Sequence, residues 1–147
     1  MADCVRMAAE TSKRWRRRSS GASARFRALG LVERTLSLCA DLDRSLAPEA
    51  IRPIVDSAAA DGLKLLEAQA RRALGIAARD TAELTRALAI FEETRAVPYA
   101  ARVRCERALL TGNQTELEAG MHVLEALGDL DQLARVERAR GKGRGSS

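Results

Sequence analysis

Between Pro48 and Gly128 the chain meets a helix start or stop at short, fairly even intervals: Pro48, Gly62, Asp80, Pro98, Gly112-Asn113 and Gly128-Asp129. Between these marks the apolar residues recur at the three-to-four spacing of a single helix face. Such a chain can fold only as a succession of short helices that bury one another's faces. Ile51, Ile54, Val55 and Ala58 form one face, and Leu63, Leu66, Ala70, Ala73, Leu74 and Ala77 form the next. Leu84, Leu88 and Phe91 carry a third, Leu117, Met121 and Leu124 a later one, and Leu130, Leu133 and Val136 the last. The stretch opening at Pro98 has two apolar sides, Ala101, Cys105, Ala108 and Leu109 on one and Tyr99, Val103 and Leu110 on the other. A less regular helix is expected from about Leu29 to Leu46, on Leu29, Val32, Leu36, Cys39 and Leu46.

Composition points the same way. Hydrophobic residues make up 46% of the 147 residues but aromatics only 3%, so the core is built from Ala, Leu, Val and Ile. Small side chains let helices approach closely, whereas sheets favour β-branched and aromatic residues. Local chemistry marks the boundaries. Pro48 suits a first turn, where a missing N–H goes unnoticed. Asp80 with Glu83, and Asn113 with Glu116, place a capping side chain three residues ahead of an acid that complements the helix dipole. Gly75 weakens its helix by about 1 kcal/mol relative to alanine, which suggests the close approach of a neighbour.

Loops of about two to four residues make adjacent helices antiparallel. A shift of 35 residues lays Arg72-Ala73-Leu74 on Arg107-Ala108-Leu109 and Ala70 on Cys105. Short helix pairs with a period in the mid-thirties are the mark of a helical solenoid. The expected fold is therefore all-α, with antiparallel helical hairpins stacked as a short tetratricopeptide-like solenoid. Charge divides the chain further. Residues 1–27 carry eight Lys/Arg against two acids, residues 28–134 twelve against seventeen, and residues 135–147 five against one. We read 1–27 as a disordered basic arm, 28–140 as the helical-repeat domain and 141–147 as a disordered tail.

The segments FEETRAVPYAARVRCERALL and LEALGDLDQLARVER, within roughly residues 49–138, resemble the C-terminal helical-repeat region of large bacterial signalling and transcriptional regulators. Those proteins combine a nucleotide-cyclase or LuxR-type DNA-binding module, an ATPase of the STAND type and a long tetratricopeptide-like array. The resemblance implies a cytoplasmic, non-catalytic module that docks a protein partner, or an associated ATPase or cyclase domain, and relays that event. It carries over no catalytic residue and implies no cofactor. Residues 1–45 match no part of that pattern.

The chemistry-bearing residues agree with a non-enzymatic reading. His122 is the sole histidine, set between Met121 and Val123 with no metal-ligand spacing around it. Cys4, Cys39 and Cys105 are widely separated and odd in number, which fits reduced thiols and no disulfide framework. Glu92 and Glu93 are adjacent on a helix and point about 100° apart, so they do not converge as paired carboxylates. Gly141-Lys142-Gly143 lacks the strand and spacing of a phosphate loop. No apolar run is long enough to span a membrane.

Arg71, Arg102 and Glu106 fall on the expected groove and are the candidate partner contacts. The competing reading is nucleic-acid contact through Lys13, Arg14, Trp15, Arg16, Arg17, Arg18 and Arg25, where cations interleave with an aromatic ring. Self-association is a further expectation, because the helix near Ile51 and Ile54 begins the array with no obvious repeat before it.

Overall fold

The computed structural model describes residues 22–41 and 47–144. All regular elements among the described residues are helices: α1 (Ala22–Asp41), α2 (Pro48–Ala60), α3 (Lys64–Ala78), α4 (Thr81–Glu93), α5 (Val97–Thr111), α6 (Gln114–Leu127) and α7 (Leu130–Arg144). Caps fall where local chemistry put them. The Asp80 carboxylate accepts from the Ala82 and Glu83 amides at 2.9 and 3.4 Å, and the Asn113 side-chain oxygen accepts from the Glu116 amide at 3.1 Å. Pro48 opens α2, and Pro98 sits in the first turn of α5.

Two boundaries differ from the sequence reading. Helix α1 starts at Ala22, inside the span assigned to the basic arm, and is described as far as Asp41. Good helix formers, Ala22, Ala24, Arg25, Arg27 and Ala28, carry it back. Helix α7 runs on to Arg144, because Arg138, Ala139, Arg140 and Lys142 offset the cost of Gly141 and Gly143.

The helices recur with a fixed interval. Helices α2, α4 and α6 begin at residues 48, 81 and 114, and α3, α5 and α7 at 64, 97 and 130, a spacing of 33 in each case. Left-handed residues keep the same interval: Gly62, Arg95 and Gly128 end the first helix of each pair, and Arg79 and Gly112 end the second. The period is therefore 33 and not 35. The 35-residue shift had matched Arg72-Ala73-Leu74 to Arg107-Ala108-Leu109 by residue type, two positions out of register with the backbone.

In this register Ile51, Leu84 and Leu117 are equivalent, as are Ala70, Val103 and Val136, and all six are buried. Packing follows the same plan. One apolar cluster joins α1, α2 and α3 through Val32, Leu36, Ile51, Val55, Leu66 and Leu74. A second joins α3, α4 and α5 through Ala68, Leu84, Leu88, Phe91 and Val103. A third joins α5, α6 and α7 through Ala101, Cys105, Leu117, Leu124 and Val136. The two sides of α5 read from the sequence are the two sides that enter the second and third clusters.

Small residues set the depth of contact. A methyl group at Gly75 would stand 2.7 Å from Leu84 Cγ, and one at Gly120 would stand 2.7 Å from Cys105 Sγ and 3.2 Å from the Ala101 carbonyl oxygen. Helix α4 thus lies directly on α3 at Gly75, as the glycine suggested, and α6 lies on α5 at Gly120.

Candidate functional site

The second helix of each pair carries, at one register position, Gln69 on α3, Arg102 on α5 and Arg135 on α7, each 33 residues from the last. Since equivalent positions face the same way in equivalent helices, the three form a row. The end of α1 closes over it. Asp41, the last residue of α1, accepts from Arg72 Nη2 at 2.6 Å and from Arg102 Nη1 at 3.1 Å, and Arg135 Nη1 stands 3.8 Å away. Arg135 Nη2 also donates to the Ala40 carbonyl at 2.6 Å. Three guanidinium groups from three helices thereby meet Ala40 and Asp41 of a fourth.

Arg72 is the centre of this cluster and is fully buried. Its Nε lies 2.9 Å from Glu106 Oε2, and its Nη2 lies 2.5 Å from Glu106 Oε1. Burial pulls its pKa down, but the carboxylates of Glu106 and Asp41 outweigh that and leave it above the ordinary arginine value. Arg102 also donates from Nη2 to Asp129 at 2.8 Å and lies over the Tyr99 ring, 5.3 Å from its centroid. Three arginines therefore meet three carboxylates, Asp41, Glu106 and Asp129. Among the described residues, the Gln69 side-chain oxygen and nitrogen and Arg72 Nη1 are buried without a hydrogen-bond partner.

The candidate partner contacts separate. Arg102 and Glu106 belong to this cluster, whereas Arg71 is held elsewhere, by Glu67 and Glu83 at 2.8 Å each. Its pKa is lowered by partial burial and raised by those two acids, with a net rise. Gln69, Arg72 and Arg135, and their partners Asp41 and Asp129, were not singled out from the sequence. A search at period 33 would have aligned Gln69, Arg102 and Arg135. Arg72 had a weaker local signal, a charge beside Arg71 that is followed at once by the buried Ala73 and Leu74.

On the other side, α4 and α6 flank a furrow floored by α5. It holds two clefts of about 360 and 440 Å³ that share Glu92 and Arg104. The first is mostly apolar, with Phe91, Val97, Ala100 and Val123 in its lining. Arg104 crosses it to Glu92 at 2.5 Å, and Arg107 bridges Glu116 and Thr85. Glu93 pairs instead with Lys64, so the adjacent carboxylates do point to different helices.

Cys105 is buried, and its thiol is pushed up to about 12 by burial first and then by Glu106 and Glu116. It is a packed thiol and a poor nucleophile. His122 is exposed on α6. Among the described residues no group of His, Cys, Asp and Glu could hold a metal ion, and no helix is long and apolar enough to cross a membrane. Lys13, Arg14, Trp15, Arg16, Arg17 and Arg18 lie outside the described residues, and Arg25 falls within α1. Comparison with family models, with curated proteins and with solved structures finds no match for the chain.

Proposed function

We propose that the chain is a short tetratricopeptide-like solenoid that acts as a cytoplasmic protein-interaction and regulatory module and performs no catalysis. The observation that carries this reading is the 33-residue recurrence of helix starts and left-handed stops, close to the repeat length of known helix-pair arrays. Three clusters, each shared by three consecutive helices, make every pair dependent on its neighbours, as stacking of repeats requires. A packed, high-pKa thiol and an exposed lone histidine favour binding over chemistry. The resemblance to regulator repeat regions supplies the class of partner, an ATPase or cyclase domain or another protein of a signalling assembly.

The furrow between α4 and α6 offers a place to read that interaction. Photoreactive residues at the exposed positions Ala89 and Ala119, introduced one at a time in the full chain, should give discrete protein adducts in cells of the source organism. The competing reading, nucleic-acid contact through Lys13 to Arg25, predicts adducts to DNA or RNA from position 15 and a salt-sensitive affinity that disappears when residues 13–27 are removed. That outcome, with no protein adduct at 89 or 119, overturns the proposal. The solenoid itself is tested by duplicating residues 81–113 after residue 113. An array accepts the extra pair and gains helical ellipticity in proportion, whereas a closed bundle loses cooperative unfolding.

A further inference from the structure

Helices α3 and α5 each receive a following helix, and the two seams are built alike. Ala68 on α3 and Ala101 on α5 hold the same register position and are buried in the second and third clusters, with α4 and α6 respectively. Gly75 leaves room for Leu84 of α4, and its equivalent Ala108 shares the third cluster with Leu117 of α6. Each incoming helix also brings an acid directly ahead of its first buried leucine. Glu83 meets Arg71 of α3, and Glu116 meets Arg107 of α5.

Helix α7 carries the same positions uncovered. Ala134 and Gly141 are equivalent to Ala101 and Ala108, both are exposed, and a methyl group at Gly141 would meet nothing within 4 Å. Leu130, equivalent to the cleft-lining Val97, is 69% exposed. Arg140 stands at the register position of Arg107, and its Nε is buried with no hydrogen-bond partner among the described residues. Around it, residues 137–144 hold four cations, Arg138, Arg140, Lys142 and Arg144, against the single acid Glu137, so the face calls for negative charge. A second copy of the chain fits it poorly. Its own α7 brings like charge, and its helices α2, α4 and α6 already have Ile51, Leu84 and Leu117 buried.

We propose that this side of α7 is a docking face for an acidic amphipathic helix of a partner protein, which stacks on α7 as α4 stacks on α3. The apolar residues of that helix recur at the spacing of Leu84, Ala87, Leu88 and Phe91. The first of them seats at Gly141, and an acid directly before it meets Arg140. The proposal rests on the interaction reading above and names the partner's chemistry and the place where it docks.

The probe is a fluorescein-labelled peptide of residues 80–94, which carries four acids against one arginine and is held helical by a lactam between the exposed positions 85 and 89. Its binding to the full chain is followed by anisotropy at low ionic strength. Gly141→Leu fills the seat without disturbing the chain's own packing, and leucine is the better helix former. The variant should fold normally yet bind about tenfold more weakly or worse. Gly143→Leu, on roughly the opposite side of the helix, should leave binding unchanged. Arg140→Glu should weaken binding about threefold or more, and Glu83→Lys in the peptide should recover part of that loss.

No saturable binding up to about 1 mM overturns the proposal. So does binding that Gly141→Leu leaves unchanged, which places the peptide on residues 13–27 or in the furrow. Displacement by hexaglutamate at comparable concentration also overturns it, by marking attraction through charge alone. On the unaltered protein, saturating peptide should slow amide exchange at residues 134–142, and unchanged exchange there refutes the docking. If that happens while adducts at 89 and 119 persist, the interaction reading stands and only this face falls.

Discussion

Two kinds of seam hold the helices together, and they differ in reach. The apolar clusters are local: each joins three consecutive helices, and none skips a repeat. The charged seam ties residues 41, 72, 102, 106, 129 and 135, so it spans nearly the whole described chain and links α1 directly to α7. Apolar packing is tolerant of small rotations between repeats, because dispersion contacts are many and individually weak. Bidentate guanidinium–carboxylate contacts are not. The comparison teaches that hydrophobic spacing joins each helix to its neighbours, while the arginine centre ties α1 to α7 across them.

The largest effect should come from removing the centre of the charged seam. Arg72→Ala leaves Glu106 and Asp41 facing a buried gap and should cost roughly 3–5 kcal/mol, the usual range for stripping one partner from a buried pair. Urea unfolding followed by circular dichroism measures it. A loss below about 1 kcal/mol would reduce the seam to decoration. Replacing the pair together, Arg72→Leu with Glu106→Leu, should regain much of the loss, since a buried ion pair is seldom more stabilising than hydrocarbon of similar volume. That double variant separates stability from geometry: it should fold, yet lose the link from α1 to α7, which a distance between spin labels near residues 41 and 135 would show.

The local seam is broken at its tightest point by Gly120→Ala. The added methyl meets Cys105 Sγ and a backbone carbonyl of α5 that cannot swing away. The expected cost is about 1–3 kcal/mol, that of overpacking. Adding Cys105→Ala removes one of the two obstacles and should restore part of it. The damage should stay in the third cluster, with amide exchange rising in α6 and α7 before α2 and α3.

Arg95→Gly sharpens the comparison from the other direction, by stabilising a repeat boundary without touching either seam. Arg95 is exposed and held at φ 57°, where its equivalents Gly62 and Gly128 adopt the same conformation freely. Relief of the left-handed strain exceeds the added chain entropy of glycine, so a gain of about 0.5–1 kcal/mol is expected. Thermal unfolding reads it, and a loss would mean that the Arg95 side chain makes a contact worth more than the strain.

The local seam was legible in the sequence and the distant one was not. The faces of α2, α3 and α4, the split faces of α5, both side-chain caps and the close approach at Gly75 all follow from residues within a few turns of one another. The period came out two residues long because a match of residue type, Arg-Ala-Leu on Arg-Ala-Leu, outweighed the backbone marks at Gly62, Arg95 and Gly128. Those marks are uneven in sequence, since an arginine stands where glycine is expected. The arginine cluster was hidden for a stronger reason. Its hydrogen bonds join residues 27 to 95 positions apart, and nothing short of the folded register brings them together. Arg102 and Glu106 were read as groove residues and candidate partner contacts, and they are half-buried members of an internal network.

Helix α1 belongs to both seams, and Glu33 tests how well it is seated in the local one. Glu33 is half-buried beside Val32, and burial raises its pKa above the ordinary carboxylate value despite the opposing charge of Arg34. The sign follows from which state binds the proton more tightly. A raised folded pKa means the unfolded chain ionises first, so Glu33 contributes most to stability below the ordinary carboxylate pKa. That contribution falls as pH rises from there through the raised value, and is constant beyond it. Glu33→Gln should therefore be slightly stabilising at neutral pH, within about 0.5 kcal/mol for a site still partly open to solvent, and neutral or slightly unfavourable near pH 4. The difference between the two unfolding midpoints, taken as a function of pH, isolates this one carboxyl from the charged seam, whose carboxylates are common to both proteins. A difference that does not vary with pH would mean that α1 packs more loosely at Val32 than its buried side chain indicates.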